Sequence, residues 1–106
     1  MEVTKTTINQ ILKENDCVLA YFGLPYCSIC HSLKPKILSL QENYPNLKIL
    51  DIDVSKNLTL IGDFEVFTAP TVVIFFFGKE SVRYARSFGI GQLTNILDRF
   101  YEIMSN

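Results

Sequence analysis

The apolar positions along the chain change period several times, and each change predicts an element. Ile8, Ile11 and Leu12 fall at i, i+3 and i+4, which predicts a short amphipathic helix from about Thr6 to Asn15, with Thr6 or Thr7 as its cap. Cys17 to Phe22 is an unbroken apolar run, as in a strand covered on both faces, and Gly23-Leu24-Pro25 ends it. Ile29, Leu33, Ile37, Leu40 and Tyr44 mark one face of a helix from about Ser28 to Tyr44, kinked by Pro35 and closed by Pro45. Leu47 to Val54 reads as a second buried strand, and Asn57 to Phe64 as a short helix. Thr71 to Phe77 is rich in β-branched and aromatic residues and reads as a third strand. A turn over Phe77-Gly78-Lys79-Glu80 leads to a fourth strand, Ser81 to Phe88, whose weak alternation fits a partly exposed edge. Gly91 to Ile103 closes the chain as a helix, with Leu93, Ile96, Leu97, Phe100 and Met104 toward the core.

This order predicts an α/β fold. The first two strands are joined by a parallel crossover and the last two form an antiparallel hairpin. The expected result is a single mixed four-stranded sheet flanked by four helices, in one domain spanning residues 1–106.

Composition narrows the function. With 106 residues, 48% hydrophobic and 20% charged, the chain has enough apolar surface to fold as one unit. Ten basic against eleven acidic residues leave a net charge of −1, so no basic excess exists for nucleic acid. The longest apolar run, Val72 to Phe77, is far short of the roughly 20 residues that a membrane helix needs. Met1-Glu2-Val3-Thr4-Lys5 lacks the basic-then-apolar order of a signal peptide, so a cytoplasmic location is expected.

The chemistry lies in the cysteines. Cys27 and Cys30 are three apart at the start of a helix, directly after a strand and its loop. Unpaired N–H groups and the positive end of the helix dipole favour a thiolate at Cys27. Cys30, one turn on, can close a small disulfide ring with it and would be the more buried, resolving sulfur. Cys17 begins the buried strand at its far end, about 16 Å from Phe22, and reads as a small hydrophobe. Cys27-Ser28-Ile29-Cys30-His31 also matches the c-type haem attachment pattern, but no export signal accompanies it. His31 is the only histidine; it reads as a solvated helix residue, or as a tuning group one turn from Cys27.

Val18–Phe22, Tyr26-Cys27-Ser28-Ile29-Cys30, Pro35, Thr68-Ala69-Pro70-Thr71, Gly78 and Phe88-Gly89 together resemble the thioredoxin family over nearly the whole length. The resemblance implies a thioredoxin-like fold, possibly with a short fifth strand at Met1–Thr4. It implies a thiol–disulfide oxidoreductase with Cys27 as nucleophile and Cys30 as resolving thiol. Pro70 is then a cis proline beside the dithiol. Ala69 offers backbone groups to an extended substrate segment, and Tyr26, Thr68 and Gly89 complete the docking rim. No organic cofactor and no metal are needed. The expected partners are disulfide-containing proteins and an external reductase or dithiol, and the expected state is a monomer.

Five positions depart from the family pattern. Tyr26 stands where tryptophan is usual, and Ser28-Ile29 where Gly-Pro is usual, so Ser28, Ile29 and His31 are the candidates for redox tuning. Tyr21 stands at the family's buried aspartate and Asp51 at its lysine. Asp51 is therefore expected to supply a carboxylate beneath Cys30, as a base, with the Tyr21 hydroxyl as its hydrogen-bond partner. A rival reading makes the chain a thioredoxin-fold binding or redox-sensing module with a weakly active dithiol.

Overall fold

Strand β1 (Cys17–Gly23) is buried along its whole length, and the architecture follows from how its two faces are covered. Successive side chains of a strand point to opposite faces. Cys17, Leu19 and Tyr21 pack on one side, with Leu33, Ile37, Leu93 and Leu97. Val18, Ala20 and Phe22 pack on the other, with Ile8, Leu12, Leu60 and Val73. Each large apolar side chain so buried contributes roughly 1.5–3 kcal/mol against exposure.

The computed structural model describes residues 3–105. Helix α1 (Lys5–Glu14) precedes β1; α2 (Ser28–Leu38) and α3 (Leu40–Asn43) connect it to β2 (Lys48–Asp53). Helix α4 (Thr59–Phe64), strands β3 (Thr71–Phe76) and β4 (Lys79–Ala85), and helix α5 (Ile90–Met104) follow. The sheet order is β2-β1-β3-β4. β1 pairs parallel with β2 and antiparallel with β3, and β3 pairs antiparallel with β4. This is the mixed four-stranded sheet with helices on both faces that the periodicity predicts.

Several boundaries differ from the sequence reading. Thr4, not Thr6 or Thr7, caps α1: its side chain accepts from Thr7 N–H at 3.2 Å. Val3 lies outside any strand and donates its N–H to Asn57 Oδ1 at 2.9 Å. Met1 and Glu2, the rest of the suggested fifth strand, lie outside the described residues.

The helix expected over Ser28–Tyr44 is two helices, giving five helical segments rather than four. Pro35 has no N–H to give to the preceding turn. At Ser39 the hydroxyl donates to the Lys36 carbonyl at 2.8 Å, and Ser39 O accepts Glu42 N–H in a tighter i, i+3 bond.

Strand β2 is not buried throughout. It is an edge strand, and within it only Ile52 is fully buried. β4 starts earlier than expected, at Lys79, because the β3–β4 loop has only two residues, Phe77 (φ 53°) and Gly78 (φ 82°). Two consecutive positive φ values belong to a type I′ turn, whose twist matches the hairpin.

Candidate functional site

Cys27 is the N-cap of α2, and its sulfur accepts the Cys30 backbone N–H at 3.1 Å. Before it, Cys27 N–H donates to Leu24 O at 3.3 Å, closing the turn that brings the chain from β1 to α2. The sequence sets this up: Gly23-Leu24-Pro25 ends the strand, and the helix starts at once. Cys27 and Cys30 are joined as a disulfide with Cα atoms 5.1 Å apart. Cys30 is buried at 4% exposure and Cys27 is only half-buried. Of the two sulfurs, Cys27 is thus the one a large substrate can reach.

The peptide bond Ala69–Pro70 is cis. Phe22 pairs with Thr71 across the sheet, so Pro70 enters β3 at the end where β1 leaves for Cys27. Ala69 and Cys27 both pack on the core face formed by Tyr21, Cys30 and Leu93. Pro70 O accepts Arg86 N–H at 2.9 Å, and Thr68 O accepts the Thr71 hydroxyl at 2.6 Å. The Ala69 N–H and C=O have no partner among the described residues, which leaves one peptide's worth of strand edge open. Gly89 behaves differently. As N-cap of α5 it accepts Gln92 N–H at 3.1 Å and gives its own N–H to Gln92 Oε1 at 3.0 Å. Its polar backbone groups are therefore engaged, and it contributes surface only.

Tyr26 is 91% exposed and Ile29 is 53% exposed. Ile29 does not join the core face of α2, which is made instead by Cys30, Leu33 and Ile37. Ser28 is exposed in the first turn. His31 is exposed but not merely solvated: its Nε2 bonds Pro25 O at 2.8 Å, tying α2 to the loop before Cys27.

Tyr21 and Asp51 require a correction. Tyr21 is 2% exposed, and its hydroxyl donates to Cys30 O at 3.3 Å, not to Asp51. Asp51 pairs beside Tyr21 in the sheet but lies exposed on edge strand β2, in an ion pair with Lys34 Nζ at 2.9 Å. The edge position explains this, since β2 lies at the margin of the sheet, where Asp51 meets Lys34 of α2 and solvent. Asp51 does line a cavity of about 320 Å³ that also reaches Cys30, Tyr21, His31 and Lys34. Burial, then the nearby Asp51 charge, raises the Tyr21 pKa above its ordinary value, so the hydroxyl stays a donor. Lys34 escapes sequence reasoning, because nothing in the helix pattern links it to residue 51. The signal available was the register: a lysine one turn beyond Cys30 faces the strand beside β1.

Cys17 is far from this site, at the opposite end of β1. Burial above all pushes its pKa up to about 11, so it is a neutral thiol at physiological pH.

Comparison with known proteins agrees with this geometry. The profile of the thioredoxin family matches residues 1–99. The chain is 30% identical over 97 residues to a thioredoxin-like protein, YdfQ, of Bacillus subtilis, covering 92% of this chain and 87% of that one. It superposes on a single-substitution mutant of thioredoxin from Halobacterium salinarum with a TM-score of 0.83 at 26% identity, over 92% and 86% of the two chains. Thioredoxin 1 of Thermosipho africanus gives a TM-score of 0.74 at 32% identity, over 84% and 99%. A half-buried cysteine capping a helix, disulfide-bonded to a buried one a turn later, is the working part of such proteins, and the chain belongs to the thioredoxin family as a thiol–disulfide oxidoreductase.

Proposed function

We propose that the chain reduces disulfides in protein substrates, with Cys27 attacking and Cys30 resolving. The observation that carries this is the pairing of unequal exposure at the two sulfurs with a backbone N–H aimed at Cys27. In the reduced protein, the Cys27 thiolate attacks one sulfur of the substrate disulfide. A Cys27–substrate disulfide forms, and the other substrate sulfur leaves as a thiolate and takes up a proton. Cys30 then loses its proton and attacks the Cys27 sulfur. The Cys27–Cys30 disulfide forms and the second substrate thiol is released. The substrate gains two electrons and two protons, and the dithiol loses them. An external reductase or dithiol returns the protein to its reduced form. The two sulfurs carry the electrons, so the cycle calls on no organic cofactor.

The substrate segment docks extended against Ala69, pairing with its open N–H and C=O in a short β-augmentation. Tyr26, Thr68 and Pro70 complete the rim around that pairing. Asp51 acts as the acceptor for the Cys30 proton through the cavity that both line, by way of water rather than direct contact. Ser28, Ile29 and His31 set the reduction potential through the first turn of α2. The working unit is a monomer in the cytoplasm.

Insulin reduction with dithiothreitol as the recycling dithiol tests the reading. The unaltered protein should turn over, Cys27→Ser should not, and Cys30→Ser should accumulate a substrate mixed disulfide through Cys27. Turnover that survives Cys27→Ser, or no turnover in the unaltered protein, would refute it.

A further inference from the structure

Phe67 is 75% exposed, belongs to neither core cluster, and stacks on no other ring among the described residues. An aromatic side chain left in water forfeits a large burial. Its backbone is nonetheless firmly held. Val66 is buried, and its N–H donates to Ile61 O at 2.9 Å. Arg83, gripped by Glu80 at 2.9 and 3.0 Å, reaches from β4 to donate to Phe64 O at 2.8 Å and Glu65 O at 3.0 Å. On the other side, Thr68 O accepts the Thr71 hydroxyl. The ring thus stands out from a segment clamped before and after it.

Two residues beyond Phe67 is Ala69, whose N–H and C=O have no partner among the described residues. The exposed ring thus belongs to the segment that leads into the open strand edge. Tyr26 and Ile29 extend the apolar surface on the Cys27 side. The three segments that meet at this end of the sheet, residues 24–30, 66–71 and 88–92, contain no Asp, Glu, Lys or Arg. Glu65 and Arg83 flank this surface on one side only, and the charge-free remainder recovers free energy from apolar neighbours.

Resting on the reading of the dithiol as a protein disulfide reductase, we propose that Phe67 is a specificity-determining residue. The substrate segment that docks on Ala69 carries a large apolar side chain that packs on the Phe67 ring. An extended chain advances about 3.3 Å per residue, so probe side chains two or three positions from the substrate cysteine stand roughly 7–10 Å along the docked segment.

Ten-residue peptides test this, each with one cysteine held as its mixed disulfide with glutathione and with Phe, Ser or Glu placed two or three positions away on either side. The unaltered protein should reduce the best Phe peptide about tenfold more efficiently than its Ser and Glu counterparts, through KM rather than kcat. Phe67→Ser should cut that preference to under about twofold while leaving reduction of bis(2-hydroxyethyl) disulfide unchanged. Equal efficiency on all peptides, or a preference that survives Phe67→Ser, would overturn the proposal. Failure to reduce even bis(2-hydroxyethyl) disulfide would instead strike at the reductase reading. In that event, binding of the same peptides with serine for cysteine, followed by backbone amide NMR shifts, decides Phe67 by itself: a Phe preference lost in Phe67→Ser supports it, and no preference overturns it.

Discussion

The Tyr21 hydroxyl, at the centre of the sheet, donates to the main-chain carbonyl of Cys30 in the first turn of α2. This bond ties the turn that carries the resolving sulfur to the strand that carries nothing reactive. Tyr21→Phe removes the donor and leaves the ring packing. A loss of about 0.5–1.5 kcal/mol in urea unfolding is expected, with an unchanged m-value. An unchanged midpoint would mean that the bond adds nothing net over hydration.

Gly23 is tied to the same ring. A Cβ on residue 23 would stand 2.7 Å from the Tyr21 hydroxyl and 2.8 Å from its ring. Since Tyr21 is buried, it has nowhere to yield. Gly23→Ala should destabilise by about 1–3 kcal/mol, measured in the same unfolding experiment. Gly78 differs: a Cβ there meets only Leu12 O at 3.7 Å, so the cost of Gly78→Ala lies in its φ of +82°. That cost should be about 1 kcal/mol.

Asp51 separates stability from chemistry. Its ion pair with Lys34 is solvent-exposed, so Asp51→Asn should change unfolding free energy by less than about 1 kcal/mol, and less still in high salt. If it accepts the Cys30 proton, the same variant should slow decay of the Cys27 mixed disulfide by about tenfold or more in rapid-quench kinetics. Lys34→Met keeps the carboxylate and should leave most of that rate. Normal decay in Asp51→Asn would remove Asp51 from the mechanism.

Alkaline pH should destabilise the fold through two weak acids, buried Cys17 and partly buried Tyr44. The pKa of Cys17 is pushed up to about 11 and that of Tyr44 to about 12, by burial first in both cases; for Tyr44 its hydrogen bond to Asp98 adds to this. Each folded value lies above the unfolded one, so the unfolded chain loses these protons first. Their stabilisation is complete below about pH 9 and is lost as pH rises toward 11 and 12. Tm should fall across that window, and Cys17→Val should flatten its lower part. A Tm constant from pH 8 to 11 would contradict this.

Much of the fold was legible because the chain's strongest patterns are local. The unbroken run Cys17–Phe22 fits a doubly covered strand, and the break at Gly23-Leu24-Pro25 before a helical period places Cys27 at a helix start. Legibility failed where position in the sheet decides the outcome. Leu47–Val54 looks as buried as β1, but its edge place exposes Asp51 and turns that residue toward Lys34. The helix break at Ser39 rests on local bonding, the Ser39 hydroxyl to Lys36 O and Glu42 N–H to Ser39 O, which periodicity does not register. Phe67 escaped attention for the opposite reason: as an isolated apolar residue between turns it has no period, and only its exposure beside Ala69 gives it meaning.

The central claim is a two-electron couple confined to Cys27 and Cys30. Equilibrating the protein in graded dithiothreitol and glutathione buffers, alkylating free thiols and reading masses by peptide tests it most directly. The expected result is a single transition in which Cys27 and Cys30 lose their labels together as the buffer grows more oxidising, while Cys17, buried as a neutral thiol, stays out of every disulfide. A pair that never closes, or a disulfide that includes Cys17, would contradict the account.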